Sequence, residues 1–155
     1  MKPTSVLLLL SFTLLFFSCT KEEIIEEEKN TNKIPFSGAY SWKFTIPGIG
    51  SQTSTHTFYP DSILYKMEGF VYNTSYTQIL HSYEPDSLKL ITIGKGGSIS
   101  KSNVYFVMFF KDVTDSSVTI YKHECVNGKT EAENFKRPAD NATADYGWNV
   151  YKKTN

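Results

Sequence analysis

The chain has 155 residues with 16 basic and 16 acidic side chains, so no net field gathers nucleic acid or a polyanionic surface, and nucleic-acid binding is set aside. Two cysteines cannot build the disulfide framework of a small stapled scaffold. Aromatic residues make up 15% of the chain, a share that suits strands and interfaces, and the length allows one domain with a real core rather than two.

The chain opens MKPTSVLLLLSFTLLFFSC: Lys2, an apolar or near-apolar run over residues 6–17, then Ser18 and Cys19. This is the layout of a secretory signal. The run is too short for a permanent span, which needs about 20 residues of helix. Phe16-Phe17-Ser18-Cys19 resembles the type II signal of bacterial lipoproteins, in the looser form found in Bacteroidota; the commonest form has Leu in place of Phe16 and Ala or Gly in place of Ser18. The resemblance implies a signal peptide over residues 1–18, acylation of Cys19 and a mature protein held on the outer membrane. One acyl chain binds a bilayer only marginally, and the lipoprotein family supplies three, so such an anchor holds. The alternative is an ordinary secreted protein cut near Ser18. If Cys19 carries lipid, Cys125 has no partner in the chain and is expected to be a buried thiol.

Residues 20–33 carry five Glu and three Lys, with Ile24 and Ile25 the only apolar side chains. Such a segment cannot bury enough to fold alone, so residues 19–35 read as lipidated cysteine plus acidic tether. Lys21-Glu22-Glu23 also resembles the acidic signal that exports Bacteroidota lipoproteins to the cell surface, and a plain charged spacer explains the same residues.

From Gly38 onward, apolar residues alternate with polar ones, and turn signals recur about every ten residues. Strands are expected at 40–46, 52–59, 63–68, 71–83, 88–93, 103–111, 118–125 and 148–152. The sixth is apolar on both faces, Val104, Phe106, Met108 and Phe110 on one and Tyr105, Val107 and Phe109 on the other, so it must be covered twice. Gly94-Lys95-Gly96-Gly97 reads as a mobile loop, and residues 130–135 as a short helix capped by Thr130 and ended before Pro138. Eight short antiparallel strands in a meander, with one helix before the last, give an all-β fold and favour a closed barrel over 36–155, with a β-sandwich as the alternative. The strand count, the late helix and the opening Gly38-Ala39-Tyr40-Ser41-Trp42 resemble the lipocalin-like (calycin) proteins. The lipocalin opening is Gly-x-Trp; here Tyr40 has that spacing and Trp42 lies two residues on.

The chemistry-bearing residues are sparse. Three histidines, His56, His81 and His123, fall on separate expected strands without metal-ligand spacing; His123 and Cys125 share a face at i, i+2 but make only a two-ligand fragment, and no metal or cofactor is assigned. No nucleophile elbow is present and no catalytic residue is assigned. The informative surplus is aromatic. Tyr40 and Trp42 on the first strand, Tyr72 and Tyr76 on the fourth and Tyr105 on the sixth are the candidate ligand-binding residues: a barrel interior lined by one such face would make an apolar pocket with phenol groups for orientation. Simple core packing is the competing explanation, and Trp42, Phe106 and Phe110 filling the interior would rule out a small ligand.

The first functional expectation is thus a non-enzymatic, membrane-anchored module that binds a small apolar ligand or a protein surface. The second is an inhibitor or immunity-type interaction protein. The third is an enzyme with a site assembled across strands, whose cheapest sign would be His81 or His123 within hydrogen-bond reach of a carboxylate or of Cys125.

Overall fold

In the computed structural model, residues 33–154 are described; the expected signal peptide, the expected lipid site Cys19 and the expected tether up to residue 32 lie outside them. Eight strands follow in order: β1 (Gly38–Ile46), β2 (Gly50–Phe58), β3 (Ser62–Gly69), β4 (Thr74–Glu84), β5 (Lys89–Gly97), β6 (Tyr105–Lys111), β7 (Ser117–Cys125) and β8 (Asn149–Thr154). Each pairs antiparallel with the next, and Ala39, Tyr40 and Ser41 of β1 pair with Thr154, Lys153 and Lys152 of β8 to close a barrel. The expected meander barrel is therefore the fold, and the sandwich is excluded. Closure leaves no unpaired sheet edge.

Period-two patterning decides what faces inward. On β2, Gln52, Ser54, His56 and Phe58 are buried while the intervening Thr residues are not, and the outer hydroxyls of Ser41 and Thr55 bond across the β1–β2 pair at 2.8 Å. On β6, Phe106, Met108 and Phe110 face the barrel interior. The opposite face packs Val107 and Phe109 beneath α1 (Lys129–Asn134) and the segment that leads to β8, together with Tyr121, Cys125, Ala132 and Phe135. The strand is covered twice, as its composition demands, and Cys125 is a buried thiol.

The interior is filled at one end. Phe36, from the segment before β1, wedges edge-on between Phe58 and Phe110, with both ring centroids 4.7 Å away, and the Ile34 amide donates to the Pro60 carbonyl at 2.9 Å. Leu90, Met108, Ile63 and Val118 complete this plug. The other end carries the β1–β2, β3–β4 and β5–β6 turns and the long β7–β8 connection.

Three local expectations need correction. Gly94 to Gly97 are not a mobile loop: they belong to β5, where a Cβ on Gly94 would strike the Lys101 carbonyl and one on Gly97 the Ser75 carbonyl. Glycine there serves close backbone approach. Thr130 does not cap α1: Gly128, at φ 74°, holds that position without a side-chain bond, and Glu131 reaches back to the Asn127 amide at 2.7 Å instead. Residues 71–73 precede β4, so Tyr72 lies in a turn rather than on the strand.

Candidate functional site

The half of the barrel away from the plug is hollow, with a cavity of about 540 Å³. That volume is in the range of small-molecule sites. Near the mouth its wall is apolar: Trp42 and Phe44 stack at 4.2 Å and 15° on β1, and Ile46, Ile49 and Met67 continue the surface. Farther in, the lining turns polar, with Ser54 and His56 of β2, Tyr65 of β3, Tyr76 of β4, Lys122 of β7 and Tyr151 of β8. All six occupy inward positions in the period-two pattern of their strands, so the barrel's pleat brings them together.

His56 is 0% exposed, and neither ring nitrogen has a hydrogen-bond partner among the described residues. Burial, and secondarily the Lys122 charge, hold its pKa well below the usual imidazole value, so the ring is neutral. It lies among the rings of Tyr65 and Tyr151, at 5.0 and 5.1 Å. Lys122 Nζ donates to the Tyr76 hydroxyl at 2.7 Å and sits over the faces of Tyr65 (3.9 Å), Phe106 (4.8 Å) and Tyr76 (5.1 Å). Burial pushes its ammonium down to about 7, although the Glu124 carboxylate pulls the other way. Burial likewise raises the phenols of Tyr65, Tyr76 and Tyr151, which remain hydrogen-bond donors. The acidic groups that also line the cavity are engaged elsewhere: Glu124 with Lys101 at 2.6 Å, and Asp145 with His123 and Tyr121.

The mouth is set by the β7–β8 connection. Asp145 and Tyr146 adopt left-handed backbone, at φ 53° and 70°, which is sparsely populated for such residues. The turn sends the Asp145 carboxylate to His123 and leaves Tyr146 80% exposed at the rim; Phe70 in the β3–β4 turn is 90% exposed.

Of the residues expected to bind ligand, Trp42, Tyr72 and Tyr76 line the cavity. Tyr40 faces inward but belongs to the plug, against Phe36 and Phe58. Tyr105 is on the outer face of β6, edge-on to His81 at 5.7 Å, because alternation separates two faces without saying which is inside. The interior is not solidly filled, since Phe110 lies in the plug and Trp42 on the cavity wall. His56, Ser54, Tyr65, Lys122 and Tyr151 were not singled out as cavity residues by the sequence. The available signal was parity: Lys122 is in step with Val118 and Ile120, and His56 with Phe58.

The sign named for an enzyme occurs at His123, whose Nε2 lies 3.0 Å from Glu131 Oε1 and whose Nδ1 lies 2.8 Å from Asp145 Oδ2. Burial lowers the imidazole pKa, but these two hydrogen bonds outweigh it and the net shift is upward. Both nitrogens are thus occupied by carboxylates, and burial pushes the neighbouring Cys125 thiol up to about 11, where it is a poor nucleophile. Set against known proteins, the chain matches no family model, no curated protein sequence and no solved structure.

Proposed function

We propose that the protein is a non-enzymatic binding module that takes a small amphipathic ligand into the hollow half of its barrel. The ligand's apolar body lies along Trp42, Phe44 and Met67, and its head group accepts hydrogen bonds from Lys122, His56 and the surrounding phenols. The observation that carries this reading is the fully buried His56 imidazole, which has no partner among the described residues and lines a cavity of about 540 Å³. An unsatisfied buried polar group costs about 1–3 kcal/mol, so its retention beside a cavity supports a partner from outside the chain. Donors outnumber free acceptors in this floor, and the nearby carboxylates are already engaged, which favours an anionic or strongly accepting head group.

The reading keeps the anchor implied by residues 16–19, with lipid on Cys19 holding the domain to the outer membrane. The described chain begins at the plugged end, where Ile34 and Phe36 enter the core, so attachment there leaves the mouth on the far side of the barrel. A fluorescence titration of the full mature chain with anilinonaphthalene sulfonate, an anionic amphipathic probe, tests the ligand reading. Saturable binding is expected in the native protein, with loss in Met67→Trp, which fills the cavity, and at least tenfold weakening in Lys122→Met. Equal binding by all three proteins would refute it.

Phe70, Tyr72 and Tyr146, exposed around the mouth, support a second reading in which the rim docks a protein surface. Met67→Trp separates the two, since it blocks the cavity and leaves the rim intact.

A further inference from the structure

The outer face of β7 carries a cluster that ligand binding inside the barrel does not use. His123 and Cys125 stand two residues apart there, and α1 places Glu131 over them. The imidazole nitrogen, the thiol sulfur and a carboxylate oxygen all lie within 4.8 Å of one another. His123 also lies between two carboxylates, Asp145 at Nδ1 and Glu131 at Nε2. A neutral imidazole has one N–H and can donate to only one of them. The ring is held in plane by stacking on Phe135 at 4.1 Å and 15°, and Asp145 is itself fixed by the Tyr121 hydroxyl at 2.9 Å. With Nδ1–H given to Asp145, the Nε2 lone pair points at Glu131 Oε1 only 3.0 Å away. Two such acceptors facing each other call for a cation between them, a second ring proton or a metal ion, and the thiol sulfur beside them suits the metal.

The geometry points to a zinc-class divalent cation site formed by His123 Nε2, Cys125 Sγ and Glu131 Oε1, with Asp145 orienting the imidazole from behind. Nitrogen, sulfur and carboxylate oxygen together suit zinc, and a carboxylate on the far nitrogen of a ligating histidine is the usual supporting contact. Glu131 is poised for one-oxygen coordination, because its Oε2 accepts from the Asn127 amide at 2.7 Å and leaves Oε1 for the metal. Bonds of about 2.0–2.3 Å at tetrahedral angles place ligand atoms about 3.3–3.8 Å apart. The Nε2–Oε1 pair therefore opens by a few tenths of an ångström, and the sulfur moves in by about 1 Å at most. The His123 and Glu131 side chains are 17% and 21% exposed, so a hydrated ion reaches them from solvent while buried Cys125 closes the back. As the metal–sulfur bond forms, the thiol proton passes to bulk water and the ion sheds its hydration waters save one, which keeps the fourth position.

Cobalt substitution in the full mature chain tests this. One equivalent of Co²⁺ is expected to give the intense visible bands of a tetrahedral site and thiolate-to-cobalt charge transfer in the near ultraviolet, both displaced by Zn²⁺. Cys125→Ala removes the charge-transfer band and Cys19→Ala retains it. Asp145→Asn keeps the band and weakens binding by about 10–100-fold. His123→Gln and Glu131→Gln, changed at partly exposed side chains, each weaken binding at least tenfold and serve if Cys125→Ala fails to fold. An octahedral or featureless spectrum, a charge-transfer band that survives Cys125→Ala, or unchanged affinity in His123→Gln would overturn the site and leave a doubly protonated imidazole bridging the two carboxylates.

Discussion

The two ends of the barrel interior are built from the same strands and spend their side chains differently. At the plugged end, β1, β2 and β6 contribute Tyr40, Phe58 and Phe110, which close around Phe36 in edge-on contacts. A few residues along the same strands, β1 and β2 contribute Trp42, Phe44, Ser54 and His56, which enclose a space instead of filling it. The plug obeys close packing. The hollow end keeps a buried imidazole without a partner and a lysine ringed by aromatic faces, groups that burial penalises. The contrast teaches that close packing and open space are divided along the barrel axis.

The division can be broken from either end. Phe110→Ala removes the centre of the plug and should destabilise the domain by about 3–5 kcal/mol, whereas Phe44→Ala on the cavity wall should cost only about 1 kcal/mol. Equal losses in chemical denaturation would contradict the division. Lys122→Met replaces a half-buried cation, its ammonium set among aromatic rings, by an apolar chain of similar length; it should stabilise the unliganded protein by about 1–3 kcal/mol while weakening probe binding. A variant that lost both stability and binding would make Lys122 a structural residue.

His56→Phe sharpens the comparison through pH. The native imidazole titrates well below the unfolded value of about 6.5, so below that pH the unfolded chain takes up a proton that the native chain refuses. Stability is lost as pH falls through this window, and the groups packed on the ring that set the shift are Lys122, Tyr65 and Tyr151. His123, with its pKa raised, contributes with the opposite sign and is untouched by the substitution. The variant should therefore gain about 1–2 kcal/mol near neutrality, and the gain should grow between pH 6.5 and 5. A gain that stays flat with pH would mean that His56 is protonated in the native protein. The smallest effect is expected at Glu124→Gln, which cuts a partly exposed pair with Lys101 and should stay within about 1 kcal/mol.

Strand number, closure and the two-sided burial of β6 were legible because period-two alternation and turn residues are local signals. The site was legible only in part. Trp42 and Tyr76 stand out as large aromatic residues on alternating strands, and both reach the cavity. Tyr105 shows the limit of the same signal: β6 is apolar on both faces, so nothing local says that Tyr105 faces out and Phe106 faces in. Lys122 and His56 look like solvated positions when each is read by itself, and they become interior only when the register carries their strand-mates Ile120 and Phe58 inward. Gly94 and Gly97 resembled loop glycines because the carbonyls that require them come from the fold of the β5–β6 connection at Lys101 and from Ser75 on the neighbouring strand β4.

The central claim is that the hollow half of the barrel holds a small ligand. Native mass spectrometry of the protein isolated gently from its own host tests it most directly, with Met67→Trp prepared in parallel. A discrete small-molecule adduct on the native chain, retained under mild ionisation and missing from Met67→Trp, is the predicted result. An adduct of the same mass on both proteins, or bare chain from both together with no uptake of the anionic probe, would contradict it.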